Sequence, residues 1–197
     1  MTGGWAFQQV QEHFWYFQAR GPARGYYSEP TKSILVVALG DVARAEEHFR
    51  GIGIRVMTGH RYLGGFIVDA DAERGWLREK IRGWTESVKL LEGVSHKHPQ
   101  SSYAGLQKSL QQEWAFVDRV TPGVGDAFDP VEEALREIFV PALYKGLREG
   151  VPEREITRLP VKQAGLALPD PTQTAPDNWT SSCVITGHLV AALRGQV

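Results

Sequence analysis

The sequence predicts an α+β fold, a small sheet-and-hairpin unit over residues 1–69 followed by a mostly helical unit over residues 70–197. Three observations predict it. ILVV after a proline-marked turn at residues 29–33 is a β-branched run that suits a strand. GIRVMTGHRYLGGFIV (residues 53–68) holds apolar runs about a T-G-H turn, in which Gly59 supplies the positive φ of a hairpin. Beyond residue 69 the apolar spacing changes to the four-three repeat of amphipathic helices.

In chain order, WAFQQVQEHFWYFQA (residues 5–19) is a helix with Val10, Phe14 and Phe17 on one face and Phe7 leading in. Trp15 and Tyr16 widen that face almost all round, so the helix expects cover on more than one side. RGPARG (residues 20–25) ends it. DVARAEEHF between the two β segments is helical, and a β-α-β-hairpin of this size needs flanking helices or a larger sheet to bury its faces. Leu77, Ile81, Trp84, Val88 and Leu91 make residues 70–94 a long helix that Asp69 or Asp71 can cap. A second helix over residues 101–120 carries Tyr103, Leu106, Leu110, Trp114 and Val117, and a third opens at Asp129-Pro130 and runs to about residue 148. Pro141 is expected to kink that third helix or end its regular part. Residues 158–178 read as extended and proline-rich, and residues 179–193 as a closing helix of small residues.

Composition narrows the function. The chain has 197 residues, 42% of them hydrophobic and 23% charged, enough apolar mass for a core. No apolar run approaches the roughly twenty residues of a membrane span, and the N-terminus carries no basic-then-apolar leader, so no membrane partner is expected and the expected location is intracellular. The formal net charge is −1, so nucleic-acid binding has to come from a local face. Cys183, the one cysteine, rules out an internal disulfide and is expected as a small buried hydrophobe.

The chemistry-bearing groups form no complete catalytic constellation. Asp69, Asp71 and Glu73 alternate like the start of a calcium loop but lack its glycine and distal glutamate, so capping is the stronger reading. His96 and His98 have no third ligand at useful spacing, and no metal site is expected. Gly51 and Gly53 precede a strand, the reverse of a dinucleotide-binding loop. Lys32 stands where a turn enters the first strand, its stem able to lie along the core with the ammonium at the sheet end. Arg61, Tyr62 and the Gly64-Gly65 pair belong to the hairpin, where glycines permit close backbone approach.

TKSILVV followed after one helix by RYLGGFI resembles motif D and motif E, the primer grip, of reverse transcriptases of the non-LTR retrotransposon type. SYAGLQKSLQQEW resembles their thumb helices, and LPVKQAGLALPDPTQTAPDNW the region after the thumb. The likeness spans nearly the whole chain in the right order, although motifs D and E are each short. It implies a palm remnant over residues 1–69 and a thumb-like region over residues 70–197. It also implies that the chain begins just after motif C, since the carboxylates of motifs A and C that hold two magnesium ions in such enzymes have no counterpart here. No cofactor is then expected in this chain, magnesium entering only with the missing palm and fingers segment.

For single residues the resemblance makes Lys32 the motif D lysine, a general acid toward departing pyrophosphate. It makes Arg61, Tyr62, Leu63, Gly64 and Gly65 the primer grip, and Lys80, Arg82, Lys89 and Lys108 candidates for phosphate contacts to an RNA or DNA primer-template. Against those contacts stands the reading of solvated helix faces with pairs such as Arg82 with Glu86. Trp76, Trp84 and Trp114 could stack on bases, but the last two lie on apolar stripes and are assigned to the core. Two functions stay open: a reverse-transcriptase fragment that binds primer-template without catalysing synthesis alone, and a non-catalytic helical module for protein interaction derived from it.

Overall fold

The computed structural model describes residues 3–67, 69–145 and 153–193. The fold is α+β and mostly helical, with a few short strands in two small sheets. It divides into two units, Met1–Glu73 and Arg74–Val197. The boundary therefore falls within the first turns of a helix, a few residues past the division expected at Asp69.

In the first unit, α1 (Gly3–Arg20) is followed by a 3-10 turn, Pro22–Arg24, and by Gly25 in the left-handed region at φ 76°. β1 (Ile34–Val36), α2 (Val42–His48) and β2 (Arg55–Met57) form a parallel β-α-β unit with Leu35 opposite Val56. Phe7, Val37, Ala45 and Phe49 make its buried core, lined by Leu35, Val42, Ile52, Ile54 and Val56. That core is too small to receive the whole of α1. Phe7 is buried, whereas Val10, Trp15, Tyr16 and Phe17 are exposed, so the described residues of the unit do not supply the cover expected for this helix on more than one side.

The hairpin forms one turn later than expected. β3 (His60–Tyr62) pairs antiparallel with β4 (Gly65–Ile67), with Tyr62 opposite Gly65. The turn is Leu63-Gly64, not Thr58-Gly59-His60, and Gly59 is not among the positive-φ residues. Gly59 serves a close approach instead: a Cβ there would stand 2.7 Å from the Cβ of Asp69 and 2.8 Å from a ring carbon of Phe66. The reason is the hydrogen bond from Thr58 Oγ1 to Asp69 Oδ2, 2.9 Å, which draws this stretch against the start of α3 (Ala70–Ser95) and leaves β2 to β1. Asp69 Oδ1 accepts the N–H groups of Asp71 and Ala72, both at 3.0 Å, and so caps α3.

In the second unit, α3 buries Leu77, Ile81, Trp84 and Val88. The second helix is continuous but not uniformly α: α4 (Pro99–Gly105), a π turn (Leu106–Leu110) and α5 (Gln111–Val120). The third has the same build, α6 (Asp129–Ala134), a π turn (Leu135–Phe139) and α7 (Val140–Leu143). Its π turn stands just before Pro141, which lacks the N–H an α turn would use, and the helix stops shortly after. The end expected near residue 148 lies outside the described residues. Trp84 stacks on Phe128 at 5.8 Å and meets Trp114 edge-on at 6.3 Å, so both tryptophans are core, as their stripes predict.

The stretch expected to be extended through residue 178 ends earlier. After α8 (Arg154–Arg158) and a short 3-10 turn, α9 (Pro171–Leu193) begins. Asp170 Oδ1 accepts Thr172 N–H at 2.9 Å, and Pro171 is pre-shaped for the first helical position. Pro176 inside α9 leaves the Thr172 carbonyl without its helical donor. Gly125 approaches that carbonyl so closely that a Cβ would lie 2.9 Å from the oxygen. Past Ala175 the helix leaves the core. Cys183 is accordingly exposed rather than buried, beside exposed Val184, Ile185 and Leu189.

A buried ionic cluster joins α6, α8 and the start of α9. Arg154, 6% exposed, makes a two-pronged contact with Glu132, Nε to Oε1 at 2.9 Å and Nη2 to Oε2 at 2.8 Å. Its remaining N–H groups go to Thr157 Oγ1, Leu168 O and Pro169 O. Arg158 bridges Glu132 and Asp170 at 3.0 and 2.9 Å. Where α5 meets α9, Asp118 is 1% exposed. Its Oδ2 accepts from Asn178 at 3.4 Å, and burial pushes its carboxyl up to about 7, against the lowering effects of Asn178 and Arg119.

Arg154→Met strands Glu132 without its main partner and is expected to lower stability by about 3–5 kcal/mol, read from urea unfolding. Asp118 has a folded-state pKa above its unfolded one, so its contribution to stability is present below about pH 4 and is lost as pH rises to about 7. Asp118→Asn is expected to flatten that decline and to raise stability at pH 8 by roughly 4 kcal/mol, the free energy of a shift this large.

Candidate nucleic-acid interface

In the first unit the candidate residues occupy a strand entry and a hairpin tip. Lys32 closes a 3-10 turn, Pro30–Lys32. Its ammonium pairs with Glu29 at 2.7 Å and its side chain is 79% exposed. The stem therefore does not lie along the core as expected, because the proline turn lifts it off the strand.

Arg61 and Tyr62 are exposed on β3, and Leu63 is 78% exposed at the tip. Leu63 has φ 48° and Gly64 φ 87°, both left-handed, as a two-residue type I′ turn requires. Glycine takes that conformation freely. Leucine takes it at a cost of about 1–2 kcal/mol, because its Cβ crowds the following carbonyl. An exposed apolar side chain held in a strained turn marks a candidate contact point. Gly65 is buried within β4, so close backbone approach falls to Leu63 and Gly64 alone.

In the second unit the cationic candidates do not share one face. At 3.6 residues per turn, Arg82 and Lys89 lie within roughly 20° of each other around α3, while Lys80 lies roughly 160° from Arg82. Lys80 turns toward the core, its ammonium 5.8 Å from the centre of the Trp84 ring. Arg82 pairs with Glu79 rather than the expected Glu86, which Lys89 takes at 3.2 Å. Arg78, four residues before Arg82, joins the Arg82–Lys89 face. An Arg-x-x-x-Arg spacing is the sequence signal that could have found it. Arg78 and Arg82 border a shallow groove of about 350 Å³ with Ile81, Thr85, Glu86, Ala127 and Pro130. Lys108 is exposed on the π turn of the second helix and has no ion pair among the described residues.

The sequence-derived set is thus divided. The hairpin tip offers an aromatic, an apolar residue and open backbone, and the α3 face offers guanidinium and ammonium groups partly neutralised by Glu79 and Glu86. Among the described residues no three His, Cys, Asp or Glu side chains group as a metal site, and no helix is long and apolar enough to cross a membrane. Trp76 packs against the helical core. No family model, no curated protein and no solved structure matches the chain.

Leu63→Asn is expected to stabilise the hairpin by about 0.5–1 kcal/mol, since Asn-Gly suits a type I′ turn. Thermal unfolding monitored by circular dichroism reads this as a raised Tm.

Proposed function

We propose that the chain is the C-terminal part of an RNA-directed DNA polymerase of a retroelement, of the non-LTR reverse-transcriptase type, which retains primer-template binding without the carboxylates for synthesis. The observation that carries this reading is the RYLGG segment, a tight hairpin with Tyr62 and Leu63 exposed at a strained tip. A primer grip needs that shape, a narrow turn whose main chain can press on a backbone phosphate while side chains flank the sugar. The face of Arg78, Arg82 and Lys89 supports the reading as a second phosphate contact, which the thumb-like segments supply. Lys32 would act as a proton donor only beside metal-held nucleotide, so in this chain it has no substrate to protonate.

A second reading is favoured by a separate observation. Val10, Trp15, Tyr16 and Phe17 on α1 and Val184, Ile185, Leu189 and Val190 on α9 are all exposed, more apolar surface than scattered single residues account for. A non-catalytic protein-interaction module would use such surface.

A labelled RNA–DNA primer-template titrated at several salt concentrations separates the two. The first reading expects affinity to fall steeply with salt. It expects the triple variant of Arg78, Arg82 and Lys89 to alanine to lose affinity and to reduce the log–log slope by roughly 3. No saturable binding near physiological salt would retire the first reading in favour of the second. Template-dependent nucleotide incorporation by the pure protein with magnesium would overturn the absence of an active site.

A further inference from the structure

We propose that the free edge of β2 is a docking groove for an extended peptide strand that carries acidic side chains. β1 and β2 form a sheet of two strands, so each keeps one edge without a strand partner among the described residues. The direction of the unused groups on β2 follows from the ladder. Arg55 N–H donates to Ser33 O at 3.1 Å and Met57 O accepts from Val37 N–H at 2.9 Å. In a parallel ladder the backbone groups of alternate residues point to the same side, so those of Arg55 and Met57 face β1 and those of Ile54 and Val56 face outward. Side chains alternate at right angles to this. Ile54 and Val56 pack on the core, while Arg55 and Met57 are exposed.

A groove runs along this edge. Its volume is about 540 Å³, and it is lined by residues 53–57 together with Glu46, Phe49 and Arg50 from the end of α2 and its exit. Gly51 and Gly53, at φ 81° and 87°, bend the chain so that Arg50 and the edge share one groove. Strand addition of this kind draws affinity from main-chain hydrogen bonds and selectivity from alternate side chains.

Charge selects the occupant. Arg50 and Arg55 both line the groove, both are exposed, and neither has an ion pair among the described residues. Among the described residues that line the groove Glu46 is the single carboxylate, which leaves it cationic. A peptide with carboxylates on alternate positions pairs those arginines in the two-pronged manner guanidinium favours. A second copy of this chain fits less well, because pairing β2 with itself brings the arginines of both copies to one seam.

The test is fluorescence anisotropy of the full chain with fluorescein-labelled Thr-Val-Glu-Val-Asp-Val-Thr. Two control peptides accompany it, one with lysine in place of both acids and one N-methylated at alternate residues. The expected result is saturable binding that weakens at least tenfold with either control. Arg50→Glu combined with Arg55→Glu, both on exposed side chains, is expected to weaken the acidic peptide at least tenfold while its far-UV circular dichroism stays that of the parent. The inference is overturned by absence of saturable binding up to millimolar peptide, or by equal binding of the N-methylated peptide. It is also overturned by indifference to the charge reversal, or by a dimer in sedimentation velocity that excludes the peptide and so assigns the edge to a second copy.

Discussion

The helical unit depends on one buried guanidinium. Arg154 has five N–H groups, and each has an acceptor: two on Glu132, and one each on Thr157, Leu168 and Pro169. Taking a charge out of water is costly unless it is paired and its donors satisfied. Here the charges also balance, two arginines against Glu132 and Asp170. The order of the unit follows from this cluster. The irregular stretch from Leu159 to Pro169 buries Leu168 but few other side chains, and two of its carbonyls are acceptors for Arg154 while that of Leu166 accepts the Tyr103 hydroxyl. Asp170 completes the arrangement, holding Arg158 with one oxygen and the first turn of α9 with the other.

Much of this was legible in the sequence where one periodicity acted alone. The α3 stripe of Leu77, Ile81, Trp84 and Val88 is buried because every member serves the same core. The cap at Asp69 was legible for the same reason, since it needs only local chain. Where distant contacts decide, the sequence was less informative. Gly59 has the residue type of a turn, but a bond between Thr58 and Asp69 assigns it to close packing. Pro171 and Pro176 suggest extended chain, yet one suits a helix start and the other stands within the second turn, where the Thr172 carbonyl it leaves without a helical donor lies against Gly125. The aromatic richness of α1 implied burial, and the core of the first unit has room only for its beginning. The ionic cluster was hidden because its members are separated by up to 38 residues in the chain, from Glu132 to Asp170, and no local pattern links them.

The candidate site shows the same division. The hairpin was legible as RYLGG, while the strain that singles out Leu63 appears only from its backbone angle. The cations were legible as residue types but not as a face. Helical geometry separates Lys80 from Arg82 and Lys89 and brings in Arg78, and the acidic neighbours Glu79 and Glu86 reduce the field that reaches solvent. A chain with a net charge of −1 thus presents its positive charge in short rows, and any partner attracted to it must be matched in position as well as in sign.

The two π turns bear on how this fold tolerates changes in chain length. Each widens one turn of a helix by an extra residue while the α segments on both sides keep their inward faces, Ser102 before and Trp114 after in one, Val131 and Val140 in the other. A chain shorter by a single residue within 106–110 or 135–139 would close that turn into regular α-helix and leave the downstream core residues pointing inward. The same deletion elsewhere in these helices would rotate everything after it by roughly 100°. The π turns are therefore the positions at which these helices can absorb a one-residue insertion or deletion, so related chains are expected to vary in length there without losing the packing of the unit.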